Sequence, residues 1–237
     1  MQVEIWSDVV CPWCGIGNAR LQSALRQFGH ADEVTLVHRS FQLDENAPPG
    51  RTRPVREILA ARYGMSDSQL RENSERLAGL AAAEGFEPYV TSDNHSGNTQ
   101  LAHELLAYAT EQGLADAAWE RLYRAYFAEV RSVFDVDALV ALGAEIGLDA
   151  DATREVLTDR RYRDRVLAEG EEARQLGATG VPFVVVDRRY GVAGAQPTET
   201  FVQVLERAWA DSHPAPVLVG TGDTADGAAC GIDGSGC

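Results

Sequence analysis

Long hydrophobic runs are missing from this chain. No apolar stretch among its 237 residues approaches the ~20 that a helix needs to cross a bilayer, so a membrane span is not expected. Basic residues are scarce as well: 21 Lys and Arg stand against 36 Asp and Glu, a formal net charge of −15. Such a surface repels phosphate backbones and anionic headgroups, which argues against nucleic acid and membrane partners. The first residues carry Glu4 and Asp8 where a secretory leader needs a basic start and an apolar centre, and the first motif already begins at Cys11, so a cytoplasmic protein is expected. Cysteine is sparse, with four in all. In a reducing compartment so few read as catalytic or metal-binding rather than as structural bridges. Several signatures fail outright. No second CxxC or CxxH stands at zinc-finger spacing, and His38, His95 and His103 are scattered rather than set as in a zinc protease. Gly15-Ile16-Gly17 has Arg20 where a dinucleotide fingerprint needs its third glycine.

What is present suits a packed core, with 45% hydrophobic and 24% charged residues, and its order is informative. Val3 and Ile5 alternate with Gln2 and Glu4 within the run Val3 to Val10 and predict a half-buried first strand. From Pro12 onward Ile16, Leu21, Leu25 and Phe28 recur at helical spacing, with Gly29 as the stop. Residues 34–43 (VTLVHRSFQL) form a second strand, and strand, helix, strand without a hairpin turn predicts a parallel pair. Asp44 to Arg53 reads as a loop, after which the pattern is helical for roughly a hundred residues. Pro54 starts one helix, stopped by Gly64, and Ser66 to Gln69 has capping-box spacing for the next, ending near Gly85. Asn98 opens another, halted at Gly113; Leu122, Tyr123, Tyr126, Phe127 and Val130 mark a further packing face; Asp135 caps the helix after it. Helical stretches over 152–157 and 162–176 precede a continuous apolar strand within Gly177 to Asp187, a short turn, and a strand at Tyr190 to Ala193, so these two strands form an antiparallel hairpin. A last helix starts at Pro197. This is the α/β plan of a thioredoxin-like fold (βαβ, then ββα) split by a large inserted α-helical domain: 1–43 and 159–212 form its two parts, 44–158 the insertion, and 213–237 a flexible tail too poor in apolar residues to fold by itself.

Cys11-Pro12-Trp13-Cys14 falls at the junction of the first strand and first helix. Unpaired N–H groups and the positive end of a helix dipole favour thiolate there, so Cys11 reads as the exposed nucleophile and Cys14, a turn deeper, as the resolving thiol. Half of a zinc site has the same spacing, but the missing second pair and the strand-to-helix context favour redox chemistry. Val181-Pro182 is the second signal. A proline ahead of Phe183-Val184-Val185-Val186 marks either the first residue of a strand or a special turn.

CPWC after a first strand, the helical insertion, TGVPFVVVD at Thr179 to Asp187 and GAQP at Gly194 to Pro197 together resemble the cytoplasmic, FrnE-like branch of the DsbA family, over nearly all of residues 1–212. The resemblance implies a dithiol–disulfide oxidoreductase or isomerase without a cofactor, acting on protein or peptide thiols and disulfides, with glutathione as a further candidate partner. Cys11 and Cys14 carry the chemistry in that picture, and Pro182 is cis opposite them. The backbone of Val181 pairs with an extended substrate by strand addition, and Pro12 and Trp13 complete the substrate-contacting set. The related kappa-class glutathione transferases and hydroxychromene-carboxylate isomerases have serine in place of the first cysteine, so Cys11 argues against a glutathione-dependent transferase or isomerase.

Cys230 and Cys237, with six residues between them, depart from the four-residue spacing of some FrnE-like tails. They are a candidate auxiliary redox pair, with soft metal ligands or incidental thiols as the other readings. A metal-binding or chaperone-like module using all four cysteines is the non-enzymatic alternative; no metal site is assigned. Among weaker features, Asp8 is expected to be solvated at its strand end, and His103 to pack or lie at the surface. Asn98-Thr99 reads as a helix cap, and Trp13 either rims Cys11 or packs on the insertion.

Overall fold

In the computed structural model, which describes residues 1–214, the first strand, β1 (Gln2–Ser7), is buried from Val3 onward. The half-buried expectation therefore fails. β1 is central in a four-stranded sheet and has helices on both faces, so even Glu4 is 1% exposed. Its carboxylate is tolerated there because the Arg39 and Arg188 guanidiniums both reach it. β1 pairs in parallel with β2 (Thr35–Ser40) and antiparallel with β5 (Phe183–Val186), which forms the expected hairpin with β6 (Tyr190–Ala193). The strand order is β2-β1-β5-β6.

Two helices cover one face of this sheet. Leu21 and Phe28 of and beside α1 (Pro12–Gln27) and Phe201 and Leu205 of α9 (Thr198–Ser212) pack on Val3, Ile5, Val184 and Val186. On the other face α8 (Arg163–Gln175) sets Ala173 against Trp6, Phe183 and Val185, and Trp6 Nε1 donates to the Glu169 carbonyl at 2.9 Å. This is the thioredoxin-like layout.

Between β2 and α8 the chain is mainly helical. Its helices are α2 (Val55–Tyr63), α3 (Asp67–Ala83), α4 (Gln100–Glu111), α5 (Ala115–Tyr123), α6 (Val136–Glu145) and α7 (Ala150–Thr158). The punctuation expected from sequence is in place: Gly64 ends α2 in the left-handed region at φ 65°, Ser66 and Gln69 close a capping box on α3, and Asp135 accepts from Ala138 N at 2.9 Å. Four details differ. β2 stops at Ser40 rather than continuing to Leu43, because the Leu43 N–H turns to the Asp8 carboxylate, at 2.8 Å, instead of extending the ladder. A small antiparallel ladder of β3 (Thr52–Pro54) with β4 (His95–Gly97) lies where a loop was expected; strands of three residues leave no periodicity to read. The N-cap of α4 is Thr99, without a side-chain bond; Asn98 accepts from Gln100 N at 3.0 Å and donates to the Ala47 carbonyl at 2.9 Å, tying the 44–53 segment to α4. Finally, α5 runs into a π-helical turn at Arg124–Ala128. Cys230 and Cys237 lie outside the described residues.

Candidate active site

Cys11 is the N-cap residue of α1, with Pro12 in the first helical turn, where its missing N–H leaves no bond unmade. Cys11 N donates to the Asp8 carbonyl at 3.2 Å and Cys14 N to the Cys11 carbonyl at 3.0 Å, so the link from β1 to α1 is hydrogen-bonded through both cysteines. Cys11 is not the exposed thiol that its helix position suggested. It is 3% exposed and Cys14 is 0% exposed, because Val9, both cysteines and Ile16 pack into one cluster with Leu77, Tyr89 and Phe127 of the insertion. Both are free thiols. Burial, then the hydrogen bond and charge of Cys11, push the Cys14 thiol well up from its ordinary value.

The second half of the site comes from the other end of the chain. The Val181–Pro182 peptide is cis, and the Cys11 thiol donates to the Val181 carbonyl at 3.5 Å. The Pro182 carbonyl accepts from Gly194 N at 2.8 Å, which holds this turn against the end of β6. A Cβ on Gly17 would stand 2.7 Å from Pro182 Cγ, so this glycine of the mimicked nucleotide fingerprint is a spacer for the contact. The Pro12 carbonyl accepts from the Tyr89 hydroxyl at 2.6 Å. Trp13 both rims the cavity over Cys11 and packs on the helical cluster, with the Arg76 guanidinium 5.2 Å from its ring centre.

Asp8 is a correction. It is 1% exposed, not solvated; one carboxylate oxygen accepts from Leu43 N, and the other lies 3.2 Å from His103 Nε2. Enclosure by the insertion removes the strand end from water. His103 is 0% exposed, its Nδ1 has no partner, and Trp119 meets the ring edge-on at 5.8 Å. Spacing could not pair Asp8 with a histidine on α4, and nothing in the sequence singles out Tyr89 or Arg76. A cavity of about 460 Å³ opens on Cys11 and Val181 between α1 and the α2–α3 pair. No group of three or more His, Cys, Asp or Glu side chains able to hold a metal occurs among the described residues.

A family model described as the DSBA-like thioredoxin domain matches residues 2–206. The chain belongs to that family. This DsbA-like chain is 47% identical to a probable DsbA oxidoreductase from Streptomyces coelicolor, with a TM-score of 0.86 over 99% of this chain and 97% of that one. It is 26% identical to uncharacterized protein YwbO of Bacillus subtilis over 69% of this chain and 75% of the other. It also shares its fold, at 19% identity and a TM-score of 0.59, with the cytosolic disulfide reductase DsbM from Pseudomonas aeruginosa with GSH, over 88% of this chain and 99% of that one. The DsbA-like chain is thus a thiol–disulfide oxidoreductase or isomerase. Among its described residues, no helix is long and apolar enough to cross a membrane.

Proposed function

We propose that disulfide exchange runs through Cys11 and Cys14 of the CPWC turn, in a cytoplasmic member of the FrnE-like branch, with protein, peptide or small-molecule thiols and disulfides as partners. The observation that carries this reading is the convergence of Cys11 Sγ on the Val181 carbonyl, 3.5 Å away beside cis Pro182, with Cys14 buried one turn deeper. In the oxidising half-cycle of the protein, the Cys11 thiolate attacks one sulfur of a substrate disulfide. The S–S bond breaks, the first thiol leaves with a proton from solvent, and a Cys11 mixed disulfide forms. Cys14 then loses its proton and attacks Cys11 Sγ, expelling the second thiol and closing the Cys11–Cys14 disulfide. Two electrons have passed from the dithiol to the substrate. The reverse sequence oxidises a substrate dithiol.

The raised Cys14 thiol suits the order of these steps: it stays protonated while Cys11 reacts. An extended partner would take the backbone of Val181, displacing the weak thiol–carbonyl contact. Cysteine rather than serine at position 11 favours this reading over a glutathione-dependent transferase or isomerase. The test pairs two variants. Cys11→Ser is expected to abolish exchange with hydroxyethyl disulfide, whereas Cys14→Ser retains attack and accumulates the mixed disulfide, seen as an added mass on Cys11. Full activity in Cys11→Ser would overturn the proposal.

A further inference from the structure

Cys11 reacts at the bottom of an enclosure, and the chemistry of its walls bears on what can enter. A cavity of about 460 Å³ lies within the roughly 300–1,000 Å³ of sites that enclose small ligands. The wall facing the cysteine turn is formed by Ile58 and Leu59 of α2 and Leu70 and Leu77 of α3, and the rim carries Leu43, 48% exposed, and Tyr63, 64% exposed. Three charged side chains line it: Asp8, Asp44 and Arg62. Asp8 is 1% exposed and its carboxylate is taken by the Leu43 N–H and His103, so Asp44 and Arg62 are the charges that a ligand meets, on a chain whose formal charge is −15. The Arg62 guanidinium itself lies over the Tyr63 ring, 5.6 Å from its centre. The 3% exposure of Cys11 also keeps its sulfur from a disulfide embedded in a folded surface, since that sulfur would bring its flanking backbone with it.

We infer that the preferred partner is a low-molecular-weight thiol or disulfide whose sulfur bears an uncharged apolar group, aryl or branched alkyl, and that the anionic tripeptide glutathione is disfavoured. The inference rests on the reading of Cys11 as the attacking sulfur. It assigns a new role to α2 and α3, which form an apolar wall that selects the group carried by the leaving sulfur. A buried apolar group gains from this wall, whereas a substrate carboxylate loses its hydration beside Asp44, with the Arg62 guanidinium drawn over the Tyr63 ring. Electron balance is that of exchange: the dithiol gives two electrons, and the disulfide R–S–S–R becomes two R–SH.

The experiment mixes the reduced full-length protein with 4,4′-dithiodipyridine, hydroxyethyl disulfide or oxidised glutathione. Each second-order rate constant is divided by that of the same disulfide with dithiothreitol, which removes intrinsic reactivity. The normalised rate is expected to be at least about tenfold higher for dithiodipyridine than for either other disulfide, and that ratio is expected to fall about tenfold in Ile58→Asn and in Leu59→Asn. Circular dichroism and denaturation midpoints identify a variant that fails to fold, and Ile58→Ala then gives the same comparison with a milder change. Equal normalised rates, faster glutathione, or a ratio unmoved by these substitutions overturns the inference. So does a disulfide-linked dimer of N-acetyl-Leu-Cys-Leu-amide that outruns dithiodipyridine, because the partner is then a peptide. Failure of the wild-type dithiol to react with any of the four disulfides is distinguishable: it brings down the role of Cys11 itself.

Discussion

Asp8 holds together three parts of the site with one side chain. Its carboxylate takes the Leu43 N–H and faces His103, and its backbone carbonyl receives Cys11 N. Removing the carboxylate in Asp8→Ala strands a fully buried imidazole whose Nδ1 already lacks a partner, and should cost about 1–3 kcal/mol, read as a lower denaturation midpoint. Asp8→Asn separates charge from hydrogen bonding. The amide can still accept from Leu43 N; burial and Cys11 do most to hold the Cys14 thiol up, and the smaller push from the Asp8 charge is gone. Cys14 should then ionise at lower pH than in the parent, measured by thiolate absorbance in a Cys11→Ser background; an upward shift would refute this account of the pair. Arg76 on Trp13 is a smaller effect. Arg76→Ala uncovers one face of the indole and should shift its emission with little change in stability.

At the scale of elements, α1 does its work through what it lacks on one face. Gly15 and Gly17 bring the helix close to Tyr89 and to Pro182; a Cβ at these positions would lie 2.6 Å from the tyrosine oxygen and 2.7 Å from the proline ring. Gly17→Ala is expected to destabilise the fold by about 1–3 kcal/mol, since neither Pro182 nor Ala195 on the same side can swing aside as a flexible side chain would. Exchange activity should drop with it, because Pro182 moves relative to Cys11; wild-type activity and stability together would overturn the close-contact argument. The pair Gly15-Ile16-Gly17 was visible in the sequence and its failure as a nucleotide loop was legible, yet its real use was not, since the contact partner lies far along the chain. Arg20, which spoils the fingerprint, donates to the Ala195 carbonyl and pairs with Glu84, both at 2.8 Å, and so links α1 to the turn after β6 and to the end of α3.

Across the whole molecule, local chemistry was readable and enclosure was not. β-branched runs, caps at Ser66 and Asp135, and the hairpin around Asp187 are written in near neighbours, so the order of the main-sheet strands and their parallel pair followed from them, while the short β3–β4 ladder did not. The burial of Glu4, Asp8 and Cys11 depends on which distant helices lie above them, and no short window of sequence carries that. The same enclosure has a thermodynamic signature. Burial is the leading cause that holds Cys14, Tyr89, Tyr123 and Tyr126 above their ordinary values. In the unfolded chain such groups ionise near pH 8.5 for the thiol and about 10 for the phenols. Between those values and their folded ones, the native state holds protons that the unfolded state releases, so stability falls as pH rises. Their contribution is complete below about pH 8 and is lost on the alkaline side, at roughly 1.4 kcal/mol per pH unit for each group that remains protonated only when folded. Denaturation midpoints should therefore decline from about pH 8.5 to 11. Tyr123→Phe should make that decline shallower, because the hydroxyl it removes is fully buried and burial is the leading cause of its raised value. A flat alkaline profile in the parent, or an unchanged slope in Tyr123→Phe, would show that the insertion does not seal this cluster from solvent.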